Sequence, residues 1–194
     1  MLPIYSIRID SEETGIDKIS LVENPAVDSN FLAFNNNVKQ VMFSAKEEQQ
    51  IIVGCLMRAD YPIYRNDENG EYYIKFEKDT IKLMAEKLLL DNHQNYINIE
   101  HIDNSDVDGI NMVQLFIKND ADGISPKGFE QIEDGSLFAV FKVRNQKIWE
   151  HIKNGTFKGF SIEGLFDFKD IDKENDEKTL DDILAMLDKI NDTK

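Results

Sequence analysis

Cysteine is almost missing from this chain: Cys55 is the only one in 194 residues. An internal disulfide is therefore impossible, and zinc sites built on cysteine clusters are excluded. Its setting in IIVGCLM (residues 51–57) fits a buried thiol that packs as a small hydrophobe. Positive charge is scarce as well, with 22 lysines and arginines against 37 aspartates and glutamates and a net charge of −15. A nucleic-acid binder needs a basic stripe to neutralise phosphates, so no nucleic-acid partner is expected. No apolar run approaches the ~20 residues that span a bilayer, which predicts no membrane segment. The opening MLPIYSIRID lacks the charged start and apolar stretch of a secretory leader, so a cytoplasmic protein is expected. Repeats at solenoid periods are also absent. What remains is ordinary for a globular chain: 41% hydrophobic and 10% aromatic residues, enough to build a core without disulfides.

Strand-like stretches dominate. IYSIRI (4–9) and DKISLV (17–22) mix β-branched and polar residues with partial alternation, and Pro25 in the following NPAV holds Asn24 extended. IIVGCLM is a continuous apolar run, the pattern of a strand buried on both faces. EYYIKF (71–76) is read as its antiparallel neighbour, with RADYPIYRNDENG as an exposed connection carrying turn formers at Asn66, Asp67, Asn69 and Gly70. In EKDTIKLMAEKLLLDN, Ile81, Met84, Ala85 and Leu88 recur at helical spacing, with Asp79 or Thr80 as the N-cap. Strands resume at YINIEHI (96–102), NMVQLFIK (111–118) and LFAVFKV (137–143). A short helix, NQKIWEHIKNG, ends at Gly155, and FKGFSIEGLFDF (157–168) returns to strand. After Asp170 the charged DIDKENDEK leads into TLDDILAMLDKI (179–190), whose Leu180, Ile183, Leu184 and Leu187 have helical spacing. Residues 1–169 therefore form the expected domain and 170–194 an acidic linker with an amphipathic tail helix, too short to fold unaided.

Two positions carry possible chemistry. Along 157–168, Phe160, Ile162, Phe166 and Phe168 would share one strand face, with Gly159, Ser161, Glu163 and Leu165 on the other. Ser161 and Glu163 would then sit roughly 6–7 Å apart at their Cα atoms, within one polar site. The spacing G-F-S-I-E-G is not the hydrolase elbow G-x-S-x-G, and no helix follows the serine directly. Ser161 reads either as a nucleophile or as a polar residue on the wet side of a strand. Flanking glycines fit a substrate backbone approaching closely, and equally a bulge. His101 reads either as a general base or as a hydrogen-bonded histidine at the rim of the core, on a strand that turns Ile97 and Ile99 the same way. His93 and His151 lie in a charged turn and on a solvated helix face. Glu100, His101, Asp103, Asp106 and Asp108 form an acidic cluster without the ligand pattern of an EF-hand, and a solvated turn explains it better than a metal site.

Read together, several segments resemble the phage prohead (capsid maturation) serine proteases. The likeness runs over residues 5–168, through KISLVENPAVDSNFLAF, GCLMRADYPIYR, YYIKFEKDTIKLMAEKLL, the strand ending in His101, DGISPKGFEQIEDGSLFAVFKV, the tryptophan-bearing helix and GFSIEG. Order and spacing carry it more than any one motif. The resemblance implies an α+β fold similar to the herpesvirus assemblins: a small, mostly antiparallel β-barrel decorated with helices. It implies His101 as base, Ser161 as nucleophile and Glu163 as third member of a triad, with Asp167 and Glu100 as alternatives for the third place. It further implies a serine endopeptidase without cofactor or metal, cleaving phage scaffold and major capsid protein, and itself, during procapsid maturation. The expected setting is a homo-oligomer inside the procapsid in the host cytoplasm. The alternative is an inactive capsid-assembly or scaffold-binding module of the same fold.

Overall fold

The structure, a computed structural model, describes residues 2–9, 14–27, 32–34, 49–67 and 70–170. The acidic tail expected beyond Asp170 lies outside the described residues. Within them the fold is mixed α+β, mostly strands with two helices. The two longest apolar runs become strands β4 (Ile51–Met57) and β9 (Leu137–Val143), which pair antiparallel. β3 (Leu32–Phe34) and β8 (Ile110–Ile117) flank them in a sheet of order β3-β4-β9-β8. Buried on both faces, β4 has no room for side-chain alternation, which is why its sequence is continuously apolar.

The expected pairing of IIVGCLM with EYYIKF is not made. The segment between them contains a strand of its own, β5 (Ile63–Asp67), which forms a hairpin with β6 (Gly70–Phe76). Asn66, Asp67 and Gly70 close that hairpin instead of serving a long connection. β1 (Ile4–Arg8) adds to β6 in parallel, and the chain's last described strand, β11 (Asp167–Asp170), adds to β1. The third sheet, of order β10-β2-β7, combines β10 (Gly159–Leu165), β2 (Gly15–Val22) and β7 (Ile97–Ile99).

The strands fall into three separate sheets among the described residues, so the expected closed barrel is not formed. The break is local and has a cause. In β2, Asp17 is an extra residue opposite the Glu163–Gly164 step of β10, and such a bulge bends a strand and ends regular pairing. One residue later the chain leaves for another sheet, where Phe166 packs edge-on against Phe76 at 5.8 Å. Gly164 is required at this point, because a β-carbon there would lie 1.8 Å from the carbonyl oxygen of Gly15.

Helix α1 (Lys78–Leu90) buries Ile81, Met84, Ala85 and Leu88, the face its spacing predicts. Its N-cap is Glu77 and not Asp79 or Thr80. The Glu77 carboxylate is engaged by the Ser6 hydroxyl at 2.7 Å, and the Thr80 hydroxyl donates to the carbonyl of Ile7 at 3.2 Å. Tertiary anchoring to β1 thus replaces a local cap. Helix α2 (Gln146–Lys153) is capped by Asn145, whose side chain accepts from the Ile148 amide at 3.2 Å, and Gly155 follows its end with a left-handed φ of 80°. Trp149 of α2 and the Phe141–Phe160 ring pair lie in the core that backs the third sheet. Truncating Leu88 or Phe160 to alanine would cost about 2–5 kcal/mol through lost burial and cavity formation.

Candidate functional site

The third sheet has two unlike faces. Ile19, Leu21, Ile97 and Phe160 point into the core. On the opposite face the register aligns a polar row across all three strands: Ser161 of β10 pairs with Ser20 of β2, which pairs with Asn98 of β7. One step along, Glu163 pairs with Lys18. Side-chain alternation puts Ser161 and Glu163 on this same face, as their spacing requires.

His101 does not arrive as the end of a straight strand. β7 stops at Ile99, and Glu100 and His101 both take left-handed backbone conformations, with φ of 51° and 57°. Two consecutive non-glycine residues in this region store strain that the surroundings must hold. Those restraints are on both sides. The Glu100 amide donates to the Leu21 carbonyl at 3.1 Å, and its carboxylate accepts from the Glu23 amide at 2.6 Å. Ser105 accepts from the Ile99 amide at 3.1 Å and reaches the carbonyls of Ile99 and Ile102. The Val107 amide donates to Ile97, and Asp106 pairs with Lys18 at 2.7 Å, so this acidic residue of the turn is tied back to the sheet. The result is a roof, residues 100–109, folded over the polar face.

Under that roof four side chains meet. His101 Nδ1 lies 2.9 Å from Glu163 Oε1 and 3.0 Å from Ser20 Oγ. Ser20 Oγ is 2.7 Å from Glu163 Oε1 and in short contact with Asn98 Oδ1, while Asn98 Nδ2 donates to Glu163 Oε1 at 2.5 Å. Ser20 and Asn98 are buried, whereas the His101 and Glu163 side chains are 40% and 32% exposed. Burial by itself pushes the Glu163 carboxyl up, but hydrogen bonds from Asn98, Ser20 and His101, with the attraction of the imidazole, more than offset it. The net effect holds Glu163 below the ordinary glutamate range.

These contacts determine where the imidazole proton sits. An ionised carboxylate can only accept, so a lone pair on Nδ1 facing Oε1 at 2.9 Å would be repelled. Nδ1 therefore carries the proton, and in the neutral ring the lone pair is on Nε2. No hydrogen-bond partner is found for Nε2 among the described residues.

Of the three residues singled out in sequence, His101 and Glu163 are in direct contact. Ser161 is half-buried beside Ser20 and makes no side-chain hydrogen bond to His101 among the described residues. The alternatives for the third place lie elsewhere: Asp167 is in β11, in the sheet of β1, β6 and β5, and the Glu100 carboxylate is taken up by the Glu23 amide. Ser20 and Asn98 were missed by sequence reasoning. Their signal is a single polar residue between two large aliphatic ones, I-S-L and I-N-I.

A family model described as "Putative phage serine protease XkdF" matches residues 37–170. No curated protein and no solved structure matches the chain.

Proposed function

Because this chain belongs to the XkdF family of phage serine proteases, we propose that the roofed polar site is its catalytic centre. In this reading His101 is the general base, Ser161 the nucleophile and Glu163 the residue that orients the imidazole. The observation that carries it is the 2.9 Å contact between Glu163 Oε1 and His101 Nδ1, which leaves the basic lone pair on Nε2. Nε2 takes the Ser161 proton as Oγ attacks a peptide carbonyl. The same proton then passes to the leaving amine, and water hydrolyses the acyl-enzyme with His101 again as base. Ionised Glu163 stabilises the imidazolium that forms between these transfers. Ser161 suits the nucleophile better than Ser20, because Ser20 has no exposed surface and its one proton is committed within the cluster, whereas Ser161 is partly open. Beside Glu163 the surface forms a depression of about 570 Å³, walled in part by Lys18, Leu165 and Phe166; Ser161 and His101 are not among its lining residues.

The substrates in this proposal are the scaffold and major capsid proteins of a tailed phage and the protease itself, cleaved by a homo-oligomer enclosed in the procapsid. A kinship with the assemblins belongs to the same reading, with histidine preceding serine in the chain. The second reading, an inactive capsid-assembly module, is favoured by one observation: Ser161 and His101 are not hydrogen-bonded, although such contacts are often loose before substrate binds. An intact-mass time course on co-expressed capsid and scaffold proteins separates the two. Discrete truncations with wild type that vanish with Ser161→Ala support the peptidase. Identical masses in both samples support the assembly module.

A further inference from the structure

We infer that Ser20 and Asn98 are positioning residues whose task is to keep Glu163 seated on His101 Nδ1 and so present Nε2 as the base. The inference rests on the catalytic reading given above and assigns roles to two residues outside the triad.

The argument starts from the polar groups available. The Ser20 hydroxyl has one proton and three nearby acceptor atoms: Asn98 Oδ1, Glu163 Oε1 and His101 Nδ1. Asn98 turns its Nδ2 to Glu163 and its Oδ1 to Ser20. The Ser20 proton is shared between Asn98 Oδ1 and Glu163 Oε1, so Ser20 presents its lone pairs to the Nδ1–H, while Oε1 also receives the Asn98 and His101 protons. The contact between ring and carboxylate has a proton only when Nδ1 carries it. The alternative Nε2–H tautomer would leave Nδ1 and Oε1 facing each other, both without a proton.

Burial makes the arrangement specific. Ser20 is 0% and Asn98 2% exposed, so water cannot take over either role. Both sit at the centre of paired strands, where the backbone fixes the direction of their side chains. Glu163, by contrast, stands at the bulge and is one-third exposed; without these two partners its flexible side chain is free to turn into the adjoining depression. The other charged groups around it do not replace them. Lys18 attracts Glu163 but gives its hydrogen bond to Asp106 at 2.7 Å, and Asp17 is the bulge residue on the same strand as Lys18.

The test uses the full chain with ¹⁵N-labelled histidine and a peptide substrate taken from a mapped cleavage site. In wild type, the nitrogen resonances of neutral His101 should report the Nδ1–H tautomer. Ser20→Ala and the near-isosteric Asn98→Leu should each raise the titration midpoint of Glu163, let the Nε2–H tautomer appear, and lower kcat about tenfold with KM little changed. Tenfold is the loss of one hydrogen bond to a charged group. A wild-type ring that is Nε2–H when neutral overturns the inference, and so does a Glu163 midpoint unmoved in both variants. Should one variant fail to fold, the wild-type tautomer and the other variant still decide. If the wild type cleaves nothing yet shows the Nδ1–H tautomer and the shifts, the positioning role stands and the peptidase reading fails. Active enzyme with the opposite tautomer fails the positioning role alone.

Discussion

Two irregular segments of this protein, 100–109 and 118–136, are both fastened by polar side chains, but the fastenings differ in kind. In 118–136 the fastenings are ion pairs. Lys118, 1% exposed, bonds Asp120 at 2.7 Å and Asp134 at 2.9 Å. Arg58 grips Glu133 through two hydrogen bonds of 2.9 and 2.7 Å and lies over the Tyr61 ring at 3.6 Å. Lys118 and Arg58 are both spent on carboxylates. Under the 100–109 roof, one carboxylate is held by two neutral side chains and one nitrogen of an imidazole, and the other ring nitrogen is left over. Ion pairs of the first kind make structure. A set with one spare basic lone pair, held in a strained loop, can do proton chemistry.

That contrast can be broken at several points. The largest effect is expected at the spare valence itself: Ser161→Ala or His101→Ala should lower peptide cleavage by about 10³-fold or more, with the circular dichroism spectrum unchanged. Wild-type cleavage rates in the His101 variant would remove it as base. Glu163→Gln keeps the shape of the orienting group but not its charge, and kcat should fall about 10²-fold; undiminished kcat would take Glu163 out of the site. Gly164→Ala drives a methyl group into the Gly15 carbonyl, so urea unfolding should show a loss of about 2–3 kcal/mol, together with reduced activity because Glu163 moves with the bulge.

In the ion-paired segment the order should reverse, with stability affected and cleavage not. Lys118→Met should cost about 1–2 kcal/mol, well below the penalty for breaking a fully buried pair, because Asp120 and Asp134 are 54% and 39% exposed and water screens them. Its kcat/KM should stay within about twofold of wild type, and a large loss would show that the two segments are coupled. The smallest effect is in pH. Because the folded state holds Glu163 below its ordinary range, its contribution to stability is complete above that range and is lost as pH falls through the depressed midpoint. The difference in urea midpoint between wild type and Glu163→Gln should therefore be widest near neutral pH and close progressively as pH falls through and below the ordinary glutamate range.

Sequence was most informative where a pattern is long and local. The buried face of α1 follows from its helical period, and the extents of β4 and β9 from short apolar runs with polar residues at either end. Pairing was less legible, since β6 finds β1 across more than sixty residues and nothing in EYYIKF names that partner. The expected straight strand through YINIEHI fails at Glu100, where the left-handed turn is imposed by contacts from Leu21, Glu23 and Ser105 and not by local preference. Ser161 and Glu163 could be assigned to one face because alternation is a property of the chain itself. Ser20 and Asn98 could not, because a serine between isoleucine and leucine looks like the wet side of a strand until a roof is found above it.

The seam between β2 and β10 also has a consequence in time. A ribosome delivers Ser20 first, then Asn98 and His101, and only after them Ser161 with Glu163, on one strand. Until β10 zips along β2 the imidazole lacks the Glu163 carboxylate, and Ser161 is not yet part of the sheet. A fragment ending before Gly159 should accordingly cleave nothing, even in the presence of substrate. In a nascent copy, then, the fold's own completion sets the clock for any cleavage.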